Sequence, residues 1–455
     1  MCSSFNKLFF SVLVLLTCHS TFVAAQNRIN QMPLLEFTLQ QAQDYAYENN
    51  YDLKNSATDV KIAGKMVKQN TAIGLPQISG EVDYMDYLDI PTMLIPGEFI
   101  GQPGTWFPLQ MGTKYNATGK VSLTQLVYSG QYLVGLQTAK AYRETAKQKN
   151  LKDKVDIRDQ VADAYYQLLV TDEAIKILDS TYVVVSRLVD EARKAQVQGL
   201  IEDIDVDQAD LNRSNLEAQL TDVRSSRNIA YANLKFLIGL KEGQEMVLTN
   251  DLKFFLAQVD RDALIKQPFD YQRNIDYTLL KKSDYLTLMQ YRLAKTAYHP
   301  TLAGFMSISA NAQRSEWNFF QAYQPWYRTT NWGLSLQVPI WSSGSRKYAV
   351  DQARLNVEKT KVTDEKMRVG LELQVETARK DFSNAYAIYL NQKKGFEIAL
   401  KIYTKTMTKY RQGLASSTDL NQRYSQFLTA NSNYMQSIFL VLSQKTRLNK
   451  LLEQF

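Results

Sequence analysis

Leu126-Val127-Tyr128-Ser129-Gly130 returns as Ile340-Trp341-Ser342-Ser343-Gly344, and Gln198-Gly199-Leu200 returns as Gln412-Gly413-Leu414, both 214 positions later. The stretch between the markers carries one apolar seam twice. It reads Ile157, Val161, Ala164, Leu168, Thr171, Ile175, Leu178, Tyr182, Val185, Val189 and Ala192, then Leu371, Val375, Ala378, Phe382, Ala385, Tyr389, Gln392, Phe396, Ala399, Tyr403 and Thr406. Steps of four and three alternate throughout, which is the periodicity of a coiled-coil seam rather than of a globular-helix stripe. A repeat of this length sets the architecture before any single element is considered.

Between Gly130 and Gly199, and between Gly344 and Gly413, there is no proline and the only internal glycines are Gly135, Gly370 and Gly395. Each stretch therefore predicts one helix roughly 100 Å long, far beyond ordinary helix length. A period-2 segment precedes each. Tyr115, Ala117, Gly119, Val121 and Leu123 alternate with Lys114, Asn116, Thr118, Lys120 and Ser122, and Trp332, Leu334, Leu336, Val338 and Ile340 alternate with Asn331, Gly333, Ser335 and Gln337. That is the pattern of strands with an apolar surrounding on one side and water on the other. Pro76 and Pro300 mark the helix-to-strand boundaries, since proline lacks the backbone donor and biases its predecessor out of the helical region.

The spans expected are a first repeat at 26–238, with a helix, a strand pair at 77–128, a long helix at 130–198 and a return helix at 202–237. A second repeat at 271–455 has a helix, a strand pair at 301–341, a long helix at 344–412 and a return helix at 416–451. Residues 239–270 form a mixed equatorial segment between them. Gly199 and Gly413 are the turns of two antiparallel helical hairpins. Within the first strand pair, Ile90 to Gly112 carries Pro91, Pro96, Pro103 and Pro108 with Gly97, Gly101, Gly104 and Gly112, the composition of a loop. Its counterpart, Trp317 to Tyr327, is rich in aromatics, which reads equally as an interfacial girdle or as a small core under a surface loop.

Composition excludes several classes. Residues 1–25 read as a secretory signal peptide, with Lys7, an apolar run from Leu8 to Leu16, and Val23-Ala24-Ala25 before the cleavage point. The apolar run is too short to span a bilayer. Leu15-Leu16-Thr17-Cys18 resembles a lipidation signal, with threonine at a position that normally takes a smaller residue. Cys2 and Cys18 are the only cysteines, so the chain after Ala25 has no disulfide or thiolate chemistry, and His299 is the only histidine there. No phosphate loop, nucleophile elbow or metal cluster occurs, so no catalytic residue, cofactor or metal is expected. The formal charge of +7 is spread along the helices, which argues against nucleic acid as a partner. No run of 18 apolar residues exists, so entry into a membrane requires a closed barrel. Four strands cannot close one, because the smallest such barrels have eight, whereas three chains supply twelve.

Signal peptide, strand pair, long helix, Gly-Leu turn and return helix, written twice, resemble the TolC-like outer membrane efflux family over roughly Leu34 to Leu452. The turn segments Val197-Gln198-Gly199-Leu200-Ile201-Glu202-Asp203-Ile204-Asp205 and Tyr410-Arg411-Gln412-Gly413-Leu414-Ala415-Ser416-Ser417-Thr418-Asp419-Leu420 carry the resemblance most specifically. It implies a mainly α protein with transmembrane β, a homotrimer whose twelve-stranded barrel continues into a twelve-helix α-barrel. It also implies a place in the outer membrane of a Gram-negative cell, among its lipid, extending into the periplasm. The implied partners are a periplasmic adaptor and an inner-membrane transporter. By position, the resemblance assigns Gly199, Leu200, Gly413 and Leu414 to an adaptor-docking tip, and Asp205, Tyr410, Asp419 and Gln422 to a periplasmic constriction. Gln422 replaces an acid of the family, Glu202, Asp203 and Asp207 add acids around Asp205, and Ala415 stands where an arginine is frequent. The function expected is a passive exit duct of a tripartite pump, opened at its tip. The alternatives are an exit duct for protein secretion and a periplasmic helical scaffold that never inserts.

Overall fold

The computed structural model describes residues 34–453, so the expected signal peptide and Cys18 lie outside the described residues. In order, the elements are β1 (Leu35–Phe37), α1 (Leu39–Asn49), α2 (Tyr51–Ile73), β2 (Gln77–Asp86), β3 (Thr92–Pro96), β4 (Trp106–Gln110), β5 (Tyr115–Ser129), α3 (Gly130–Val197) and α4 (Asp203–Ile238). There follow β6 (Met246–Leu248), α5 (Leu252–Ala257), α6 (Arg261–Lys266), α7 (Ile275–Lys295), β7 (Thr301–Arg314), β8 (Tyr327–Gln337), α8 (Ser345–Arg411) and α9 (Ser417–Leu452). They fall into two compact units.

One unit comprises Ser56–Lys152 and Tyr271–Gly370. Its centre is a four-stranded antiparallel sheet in the order β2-β5-β7-β8. Directly opposed residues share a face, so the register sorts side chains cleanly. Ile78, Leu123, Met306 and Trp332 lie in one row, and Val121 and Ile308 in the next. These apolar side chains are exposed, Trp332 to 79%. The opposite face is polar: Thr118 Oγ1 donates to Asn311 Oδ1 at 2.8 Å, Ser307 bonds Asn331, and Lys120 approaches Glu81 at 3.9 Å. Among the described residues, β2 and β8 are both open edges.

Strand meets helix differently in the two repeats. β5 passes into α3 with no intervening residue, and Ser129 caps the junction by accepting from the Tyr132 N–H at 3.2 Å. β8 ends at Gln337, short of the expected 341, because Pro339 has no amide to continue the ladder. A seven-residue link, 338–344, then turns through positive φ at Ser343 (49°) and Gly344 (86°) before α8 begins. The segment from Ile90 to Gly112, expected to be loop, contains the two-stranded ribbon β3–β4. Two strands tolerate Pro96 and Pro108 because an edge strand needs only alternate N–H groups for pairing.

The other unit holds the rest of the described chain, Asp153–Asp270 and Leu371 onward together with the residues up to Asn55. Here α3 pairs with α4 and α8 with α9, and the seams read from the sequence are the buried sides: Val161, Leu168, Leu178, Val185 and Val189 on α3, and Leu371, Val375, Phe382, Ala385 and Tyr403 on α8. β1 pairs in parallel with β6, joining the residues before α1 to the equatorial segment. The Tyr165 hydroxyl donates to the Phe37 carbonyl at 3.0 Å and anchors this pair to α3.

Both hairpins bury apolar side chains, Leu178 and Leu188 with Leu216 and Leu220 in the first and Met407 with Leu420 in the second, and they differ in the contacts that reinforce them. Between α3 and α4, Asp172 binds Arg227 at 2.7 Å, Asp179 binds Arg224 at 2.7 Å and Asp210 binds Arg193 at 2.9 Å. Between α8 and α9 the contacts are aromatic: Tyr389 stacks on Tyr434, Phe396 on Tyr434 at 5.2 Å and Tyr403 on Phe427 at 5.3 Å, with Tyr424 closing the ladder. Burial pushes the hydroxyls of Tyr403 and Tyr434 up to about 12.

Candidate functional site

The two helical turns have the same backbone geometry. At the end of α3, Gly199 has φ 72°, its N–H bonds the Gln196 carbonyl at 2.8 Å, and the Leu200 N–H reaches back to Ala195 at 2.9 Å. At the end of α8, Gly413 has φ 72°, its N–H bonds Tyr410 at 3.0 Å, and the Leu414 N–H reaches Lys409 at 2.8 Å. This pattern satisfies the last helical carbonyls through a left-handed residue, which glycine adopts without a Cβ penalty. A Cβ built on either glycine would meet no atom within 4 Å, so backbone conformation alone demands glycine there. At the turns Leu200 and Leu414 are 71% and 72% exposed.

The return helices start with different chemistry. Ser416 caps α9 by accepting from the Asp419 N–H at 3.0 Å, and its hydroxyl donates to Asp419 Oδ2 at 2.9 Å. Asp419 is thereby engaged at its own helix end. At the start of α4, Glu202 makes no side-chain cap, and Asp203 and Asp205 occupy the first turn, where the helix dipole favours carboxylates.

Between the hairpins, at the level of the turns, lies a cavity of about 760 Å³ lined by Leu188, Ala192, Leu200, Ile201 and Asp205 of the first hairpin and by Tyr410, Arg411, Gly413 and Ala415 of the second. Burial pushes the Tyr410 hydroxyl above its ordinary value, and the negative charge of Asp205 adds to the effect. Of the residues singled out in the sequence, the structure thus gathers Leu200, Asp205, Tyr410 and Gly413 around one cavity. Gly199, Leu414, Asp419 and Gln422 do not line it, and Asp419 and Gln422 are exposed on α9.

One contact at this site was not read from the sequence. Arg411 Nε donates to Glu191 Oε2 at 2.9 Å, a link from α8 to α3 along the cavity wall. Its only signal is that Arg411 stands within the turn segment, two positions before Gly413.

A family model described as outer membrane efflux protein matches residues 43–240 and 286–453. No curated protein matches the chain. The fold is similar to that of CusC, with TM-score 0.71 and 13% identity over 94% of this chain and 96% of that one. It is similar to the CmeC outer membrane channel of Campylobacter jejuni, with TM-score 0.68 and 15% identity over 91% of this chain and 85% of that one. It is also similar to the outer membrane protein VceC of Vibrio cholerae, with TM-score 0.64 and 14% identity over 91% of this chain and 96% of that one. With the family match spanning both repeats, the chain belongs to the outer membrane efflux protein family, TolC-like channels of the Gram-negative outer membrane that extend into the periplasm.

Proposed function

We propose that the chain works as a homotrimeric, passive exit duct of a tripartite efflux pump. The observation that carries this reading is the four-stranded sheet with one polar face, one exposed apolar face and two open edges. Hydrocarbon tolerates no unpaired strand edge, so β2 of one copy must pair with β8 of the next, and three sheets close a twelve-stranded barrel. The polar face, with Glu81, Lys120 and Asn311, then lines a water-filled bore. Two long hairpins per chain supply the twelve helices of the periplasmic conduit. A duct of this kind needs no cofactor, because the inner-membrane transporter supplies the energy.

The tip is where the duct meets the periplasmic adaptor, through the exposed Leu200 and Leu414 beside Gly199 and Gly413. Constriction falls to Asp205, Tyr410, Asp419 and Gln422, and opening is a shift between two packings of the same coiled coils. Native mass spectrometry of detergent-extracted protein, paired with planar-bilayer conductance, tests the reading. Trimers forming discrete channels support it, and monomers without conductance overturn it.

A further inference from the structure

β3 and β4 form a ribbon of their own, continuing the β2–β5 pair beyond the end of the sheet. The Tyr87 N–H bonds Lys114 at 2.8 Å and the Met111 N–H bonds Pro91 at 3.1 Å, so the two ladders run on into each other. The ribbon is a built structure. Its tip is fastened by the Gly97 N–H to Thr105 at 2.7 Å and the Gln102 N–H to Gly97 at 2.8 Å, and a Cβ at Gly97 would lie 2.1 Å from the Gln102 carbonyl oxygen. On this frame stand Leu94, Phe99 and Trp106, 63%, 81% and 66% exposed. A folded ribbon presenting such a surface to water calls for something to cover it.

The sheet order says what covers it. β3 follows the edge strand β2 and, like β2, has a partner on one side only. At the same end of the sheet, the connection between β7 and β8 carries Phe320 and Tyr323, 85% and 99% exposed, above a small core in which Phe319 meets Tyr84 at 5.9 Å and Trp326 at 6.3 Å. Closing the barrel brings β2 of one copy against β8 of its neighbour, antiparallel, so the end of β2 meets the start of β8. Charge favours the same pairing. β2 bears Glu81, Asp83 and Asp86 and no base, while Arg328 is the only charged residue of β8. Alternation and register put Asp86 and Arg328 on the same face of the sheet.

Resting on the trimeric reading above, we propose that the β3–β4 ribbon of each copy docks on the aromatic β7–β8 connection of the adjacent copy, forming a second belt of contacts beyond the barrel. Cys2 and Cys18 are the only natural cysteines, so paired cysteines report this contact against single-cysteine controls. Phe99→Cys with Phe320→Cys, and Phe99→Cys with Tyr323→Cys, are oxidised in membranes and run on non-reducing gels. The expected result, from at least one pair, is covalent dimers and trimers as the greater part of the protein, reverting to monomer on reduction and absent from the single variants. Native mass spectrometry of the same variants separates the two ideas. Intact trimers without intermolecular cross-links from either pair overturn the docking and leave the duct standing, and monomers overturn both. A spin label at residue 99 that is relaxed by a lipid-soluble quencher in intact trimers overturns the docking as well, because the ribbon then faces lipid.

Discussion

Arg411 Nε lies 2.9 Å from Glu191 Oε2, a bond across 220 positions that ties the second hairpin to the first beside the Asp205–Tyr410 cavity. Both side chains are over two-fifths exposed, so the pair contributes only about 0–1 kcal/mol to stability. Its importance is positional, since under the proposed opening at the tip it links the two hairpins that would have to part. Arg411→Ala should leave thermal stability nearly unchanged while raising single-channel conductance in planar bilayers. Glu191→Gln should do the same. Parental conductance from both would remove the pair from gating.

Gly413 has φ 72° with open space around its Cβ position. Gly413→Val therefore costs backbone strain alone, on the order of 1–2 kcal/mol, and Gly413→Asn less, because asparagine tolerates the left-handed region. The valine variant should assemble normally yet lose export, and the asparagine variant should retain part of it. Export at the parental rate from the valine variant would show that the turn makes no essential contact.

The Asp205→Ala, Asp419→Ala double variant should show weaker cation selectivity and less block by trivalent cations, because rings of carboxylates favour cations in a pore. The single variants should not be equal. Asp419 is held by the Ser416 cap, whereas Asp205 faces the cavity with Tyr410. Asp205→Ala should carry most of the change in reversal potential, and an unaltered reversal potential in the double variant would put both acids outside the bore.

Asp163 has a buried carboxylate oxygen, Oδ1, without a hydrogen-bond partner among the described residues, and desolvation raises its pKa despite the Ser443 hydrogen bond. A carboxyl whose pKa is higher folded than unfolded stabilises the fold most when protonated, and that contribution is lost as pH rises from the ordinary carboxylate range through the raised value. Asp163→Asn should therefore melt at a higher temperature than the parent at pH 7, with the gain shrinking toward pH 4. Circular dichroism at 222 nm across that range is the measurement, and a variant less stable at pH 7 contradicts the assignment.

Phe427 is 2% exposed and stacks on Tyr403 at 5.3 Å, with Phe396 at 6.0 Å. Truncation to alanine should cost about 3–5 kcal/mol, seen as a lower unfolding midpoint. Arg227→Ala, which breaks the Asp172 ion pair of the other hairpin, should cost at most about 1 kcal/mol, and less in high salt. Equal losses would mean that the two hairpins are not reinforced in the different ways described.

The long helices were legible because a coiled coil writes its buried side directly into the chain. Val161, Leu168, Phe382 and Ala385 fall on the four-three seam and all are buried. The turns were legible because Gly199 and Gly413 answer a backbone demand that almost no other residue meets. The β3–β4 ribbon was not, since Pro96 and Pro108 read as loop residues and only the three-dimensional pairing shows that their missing donors are not needed. In the aromatic connection Phe319 is packed inward against Tyr84 and Trp326, the small core under a surface loop, while Phe320 and Tyr323 are turned out. Glu191–Arg411 was invisible for another reason. It joins residues of different repeats, and repeat periodicity describes each copy by itself.

The unlike junctions of strand and helix have a mechanical consequence. Where β5 becomes α3 without a break, the helix takes its heading directly from the strand, as a mast does from the socket that holds it. Where residues 338–344 intervene, with two positive-φ positions and the Arg346 guanidinium donating back to the Pro339 carbonyl at 2.8 Å, the heading of α8 is set by a folded elbow and not by the strand. Each chain thus carries one direct coupling and one through an elbow, and three chains arranged in a ring would alternate them around its circumference.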